Sequence, residues 1–348
     1  MTSLGSRIPV EVIFNPNWWF RHYGISFDES FYLDRGRRIA NDVAMRHALH
    51  ERFGIGDANP QPRPLIGSQY IAGGFVLPAL LGVEIRFSRQ EAAWPIPRNL
   101  TRQEIQALRV PDIRTAWPMN RLIADMDALE KEFGQVIGDV NTAGVFNTAL
   151  EVRGQQLFID LLEDKELVRH LFAVVAETEA AVAEYMRTRT GTTSVALNRS
   201  IVNVNPGIHV EGNCSGQMIS PAIYRECLLP WHRCLAQRLA PLGIHHCGNN
   251  LHLFAAAYAE TRSVFYDVGW GSDVARCSAE LPDAFLNLRL NPVRLLHATA
   301  EEVRRDALTL LRAAGRDSQV GLCCINMDYG TPDENVEAIF AAAREFTL

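Results

Sequence analysis

The chain has 348 residues, of which 47% are hydrophobic, enough to bury a sizeable core in one large domain or two small ones. A formal charge of −6 leaves no basic footprint for nucleic acid, and no apolar run reaches the ~18 residues a membrane span requires. Seven cysteines and a start (Met1-Thr2-Ser3-Leu4-Gly5-Ser6-Arg7) without an apolar signal region lead us to expect a cytoplasmic protein whose thiols serve packing or metal.

In chain order, Glu29 to about Phe53 reads as one long helix with arginines on its wet face. Asp57 to Pro64 is a proline-rich turn or linker. Ser68-Gln69-Tyr70 and Gly73-Gly74 have the composition of a mouth loop. Met119 to Phe133 is amphipathic, and Leu157 to Met186 reads as one long or broken helical region. From Ile208 the pattern becomes regular. Ile208 to Glu211 reads as a strand, and Ser220-Pro221 opens a helix that runs to about Leu239. Gly243–Cys247, Val264–Val268, Phe285–Leu290 and Gln319–Cys324 read as further strands. Thr299-Ala300-Glu301-Glu302 and Thr331-Pro332-Asp333-Glu334 are capping boxes, the first opening a helix that ends near Gly315. Strands and helices alternating at this spacing imply parallel strands. Their number suits an α/β fold, an eight-stranded (β/α)8 TIM barrel, better than a doubly wound sheet. Residues 1–348 then form a single domain, with 1–120 a helical extension plus early barrel elements.

The chemistry concentrates in Gly243-Ile244-His245-His246-Cys247-Gly248-Asn249. Side chains alternate along a strand, so His245 and Cys247 face one way and His246 the other. Imidazole and thiolate are zinc ligand types. A further thiol source, Cys323-Cys324, ends another predicted strand, which suggests an open site at a barrel mouth. Taken alone, His245 and Cys247 would read as core residues. Cys214, Cys227, Cys234 and Cys277 have no partner at metal spacing. Trp18, Trp19, Phe20 and Tyr23 read as a core cluster, and Asp267 ends a strand where a cap, an ion pair or a functional role would fit.

Several segments resemble the uroporphyrinogen decarboxylase superfamily. They are Ile219-Ser220-Pro221, Leu228-Leu229-Pro230-Trp231, His245-His246-Cys247-Gly248-Asn249, Asn291-Pro292-Val293 and Gly330-Thr331-Pro332-Asp333-Glu334-Asn335-Val336. The resemblance is good over about 140–348 and weak before that, and it too implies a (β/α)8 barrel. The porphyrinogen decarboxylases of that superfamily carry an Arg-Gln-Ala-Gly-Arg motif that grips substrate carboxylates. The nearest match is Arg21-His22-Tyr23-Gly24-Ile25, where isoleucine stands in place of the second arginine and cannot hold a carboxylate. The chain looks closer to the corrinoid-dependent methyltransferase branch, whose zinc is held by His-x-Cys and a distant Cys.

That resemblance implies a zinc-dependent methyltransferase working with a corrinoid (cobalamin) protein and a small methyl donor or acceptor. It implies zinc on His245, Cys247 and one of the tandem cysteines, Cys324 being preferred to Cys323. Glu211 would be catalytic, as a fourth resting ligand or a base. His209 would line the pocket one layer deeper, and Tyr70 and Asn249 would contact substrate. A metal-independent decarboxylase and a non-catalytic binding barrel are the alternatives.

Overall fold

A computed structural model describes residues 8–67, 70, 74–193 and 204–346. Ser68, Gln69 and Gly73 of the expected mouth loop lie outside the described residues. The strands are β1 (Val10–Phe14), β2 (Glu84–Arg86), β3 (Trp94–Ile96), β4 (His209–Gly212), β5 (Leu242–His246), β6 (Phe265–Val268), β7 (Phe285–Arg289) and β8 (Val320–Met327). β2 and β3 form a small antiparallel pair; the other six form one parallel sheet in the order β1-β8-β7-β6-β5-β4. Helices cover this sheet, as buried parallel strands require. A parallel bridge joins Leu65 to Ile137, and the chain beyond it curls back to β4. There a Cβ on Gly144 (φ +85°) would lie 2.0 Å from the Gly212 carbonyl oxygen, so only glycine serves. No helix among the described residues is long and apolar enough to cross a membrane.

The strand register sets the layers on the inner face. Val210, Phe265 and Phe285 belong to one small apolar cluster, with the two phenylalanine rings stacked at 5.5 Å. One step on, Gly212, His245, Asp267 and Asn287 stand opposite one another on β4 to β7. Leu322 and Cys324 pack with the main helix-backed core, whereas Cys323 clusters with Ile13 and Ile325.

Helix boundaries differ from expectation where a local cap or proline intervenes. The Asp34 side chain accepts from the Arg37 N–H (2.7 Å), splitting the first long helix into Glu29–Leu33 and Arg35–Phe53. Asp164 caps Lys165–Thr190 and separates it from Gln156–Glu163. The helix after Ser220 passes through a π turn, Tyr224–Leu228, before Leu229–Arg238. Pro230 lacks the N–H that regular α geometry would use there, which is one known cause of such a break. The proline-rich segment is anchored rather than free. Buried Arg46 donates to the carbonyls of Asn59 (2.7 Å) and Gln61 (2.9 Å).

Candidate metal centre

β5 carries His245 on the inner face, and Cys247 follows directly after the strand. His245 Nδ1 lies 2.5 Å from Asp267 Oδ2, and the other carboxylate oxygen of Asp267 accepts from the Asn287 amide at 2.6 Å. A carboxylate on Nδ1 fixes the ring and leaves Nε2 for a ligand, the usual outer support of a metal-bound histidine. Burial opposes charge on His245, but Asp267 and the neighbouring Cys247 thiolate outweigh it and raise its pKa to about 9.

The third member of this cluster is Cys214. Cys214, His245 and Cys247 place their ligand atoms within 4.8 Å of one another. Cys214 lies in the short 3₁₀ turn Cys214–Met218 that follows β4. Its thiol hydrogen bonds to Cys247, which holds Cys247 well below the usual thiol range and pushes Cys214 well above it. Gly269 lets the Cys247 backbone approach, since a Cβ there would meet the Gly248 carbonyl oxygen at 2.0 Å. Two thiols and an imidazole with a carboxylate behind it are a donor set that fits zinc with a position left open.

The cluster borders a cavity of about 260 Å³ lined by Asn141, Asn147, Cys214, His245, Cys247, Arg289 and Asn326, among others. Asn326 sits at an irregularity in the β1–β8 pairing with φ +66°, and both it and Ile325 reach the cavity. Such a bulge re-aims side chains at a strand end. Arg289 is buried, and its Nε and Nη1 have no hydrogen-bond partner among the described residues. A second cavity of about 700 Å³ shares Gly74 and Asn326 with the first and reaches Trp94, which is 64% exposed.

Other expected residues lie elsewhere. Cys324 is fully buried in the core against the helices, where desolvation raises its pKa to about 12; it is outside the cluster, which contains Cys214 instead. Cys323 is on the inner face but also outside the cluster. Glu211 and His209 share a face, as alternation requires, but it is the helix-facing one. Glu211 Oε1 accepts from the Val145 N–H at 2.8 Å, and His209 Nε2 is 3.3 Å from Glu179 Oε1. Neither lines the cavity. Burial and the Glu179 charge push the Glu211 carboxyl well up. Tyr70 is buried against Trp19, with its hydroxyl accepting from Arg63 at 3.3 Å. Asn249 is exposed on the turn after Cys247, outside the cavity lining. His246 faces away from His245 and bonds the Tyr258 hydroxyl at 2.7 Å.

No spacing along the chain points to Cys214; the strand pairing does. Gly212, the last residue of β4, pairs with His245, and the turn that follows brings Cys214 to Cys247.

Residues 71–346 match the family Uroporphyrinogen decarboxylase (URO-D). The chain belongs to the uroporphyrinogen decarboxylase family. Among solved structures it is similar to a "methyltransferase from Methanosarcina mazei", with TM-score 0.65 and 16% identity, over 97% of this chain and 94% of that one. No curated protein sequence matches it. Ile25, at the position of the second arginine in the decarboxylase motif, is buried in the apolar core. Arg21 lies over the Tyr329 ring, 5.4 Å from its centroid.

Proposed function

We propose that this chain is a zinc-dependent methyltransferase that works with a corrinoid protein and a small methyl donor or acceptor. The observation that carries the reading is the Asp267–His245 pair beside two free, hydrogen-bonded cysteines, at the edge of a cavity of small-molecule size. A family member using the decarboxylase route would need the second arginine that Ile25 replaces. The fold likeness to a methyltransferase points the same way.

In this reading Cys214, His245 and Cys247 hold the metal. Zinc, when bound, supplies Lewis acidity that keeps a small sulfur or oxygen group deprotonated and nucleophilic. Asp267 fixes the ring orientation of His245 and balances its charge. Asn141, Asn147 and Asn326 offer amides that orient the small molecule, and Arg289 is available to an anionic part of it. The larger outer cavity, with Trp94 at its rim, is where we place the corrinoid partner. We also infer that the segments at Leu65 and Ile137 complete an eight-stranded barrel around this site.

The test follows corrinoid absorbance, which changes as cobalt gains or loses a methyl group. Turnover with a panel of thiols, folates and methyl ethers should need zinc and vanish in Cys247→Ala, while the fold persists. If no corrinoid, free or protein-bound, changes state across that panel, the reading fails.

A further inference from the structure

A second group of ligand-type side chains lies on the opposite face of β4, outside the site described above. Glu179, on the helix Lys165–Thr190, and His209 and Glu211, on β4, bring one ligand atom each within 4.8 Å of one another. His232, on the helix Leu229–Arg238, stands beside these three: its Nε2 is 3.4 Å from Glu211 Oε1, but it is not within the same mutual distance of all of them. All four side chains are fully buried.

The hydrogen bonds around the group are arranged as outer supports. His209 Nδ1 is 3.1 Å from the Thr193 hydroxyl, and His232 Nδ1 is 2.9 Å from the Tyr224 hydroxyl. Both rings therefore turn Nε2 towards the carboxylates. Glu179 Oε1 accepts from the Thr142 hydroxyl at 3.0 Å and Glu211 Oε1 from the Val145 N–H at 2.8 Å. The remaining oxygens, Glu179 Oε2 and Glu211 Oε2, and His232 Nε2 have no hydrogen-bond partner among the described residues. Leaving three such atoms dry is costly, and a single imidazolium, His209 against Glu179, balances at most one of two adjacent carboxylates.

The spacing of the two imidazoles from the Oε1 oxygens is a second observation. The two imidazole–carboxylate separations, 3.3 and 3.4 Å, are long for N–H···O bonds. They equal about the ligand-to-ligand edge of a tetrahedron with bonds of ~2.0–2.1 Å, the zinc range for nitrogen and oxygen donors.

We propose that Glu179, His209 and Glu211, with His232 drawn in as the fourth ligand, form a second, closed divalent-cation site of the zinc type, behind the candidate centre and independent of it. A dication cancels both carboxylate charges, and two histidines and two carboxylates leave no open position. Its role is structural: it ties β4 to the helices Lys165–Thr190 and Leu229–Arg238, just below the turn that carries Cys214. The competing arrangement is a proton shared by the two carboxylates with no metal.

The experiment counts zinc on full-length protein purified without chelators, in the wild type and in Cys247→Ser, His209→Gln and Glu211→Gln. Circular dichroism reports folding. Glu211→Gln, nearly isosteric, serves if His209→Gln does not fold. We expect two ions in the wild type, one in Cys247→Ser, and one in His209→Gln or Glu211→Gln. In cells supplied with cobalt, the ion kept by Glu211→Gln should show thiolate-to-cobalt charge transfer, and the ion kept by Cys247→Ser should not. One ion in the wild type and none in Cys247→Ser overturns the second site and leaves the first standing. One ion in both, lost in Glu211→Gln, sustains the second site and removes the first. A metal-free wild type overturns both.

Discussion

Replacing Cys214 and Cys324 separately by alanine tests the ligand assignment most sharply. Cys214 belongs to the cluster with His245 and Cys247; Cys324 is buried in the core on the other face of β8. Apparent zinc affinities of four-ligand peptides are about 10–16 kcal/mol, or about 2.5–4 kcal/mol for each ligand. Loss of the Cys214 thiolate should therefore weaken zinc at this centre by about 100- to 1000-fold. Cys214 lies in a turn that is only partly buried, so the fold should tolerate its truncation. Cys324→Ala removes a small, fully buried group. It should leave the zinc affinity within about threefold and lower stability by roughly 1 kcal/mol, as deletion of one methyl-sized core group does. Competition against a chromophoric chelator gives the affinities, and urea unfolding gives the stability. Zinc lost from Cys324→Ala and retained by Cys214→Ala would show that the strand face of β8, and with it the site, is misassigned.

Asp267→Asn should weaken zinc by about 10- to 100-fold, measured by the same competition, because it removes the carboxylate behind His245. In metal-stripped protein, His245 has its pKa raised from 6.5 to about 9. Its contribution to stability is complete below 6.5 and lost as pH rises through 9, so the melting temperature should fall across that window, and Asp267→Asn should flatten the fall. Arg289→Gln should raise KM for a small anionic acceptor about tenfold or more, the worth of one charge-assisted bond, and leave a neutral acceptor unaffected in steady-state kinetics. Gly269→Ala should cost roughly 1–3 kcal/mol in denaturant unfolding, since its Cβ collides with backbone beside Cys247.

The later strands and helix starts could be read from sequence because each carries its own local signal. Thr299 and Glu302 form the expected capping box and Ser220 caps at Ile223, whereas the box expected at Thr331 does not form: Pro332 is the N-cap of Asp333–Glu345 and no side chain caps it. His245 and Cys247 were legible for the same reason. What alternation could not supply was which face is which. His209 and Glu211 share a face, but β4 is buried on both sides, so hydropathy does not separate the inner face from the helix side. The same ambiguity exchanged Cys323 and Cys324. Cys214 was passed over because metal spacing was sought along the chain, whereas its partner stands across a parallel ladder. The first third gave least, because its order depends on distant anchors such as Arg46 rather than on repeating strand–helix units.

The Gly212–His245 register has a consequence for assembly. All three candidate ligands of the centre belong to one strand–helix–strand unit, β4 to Cys247, and its carboxylate support arrives with the next strand, β6. During synthesis the cluster can therefore form before β7 and β8 emerge from the ribosome. Metal capture could then act as an early clasp that fixes the pairing of β4 with β5 before the sheet is complete.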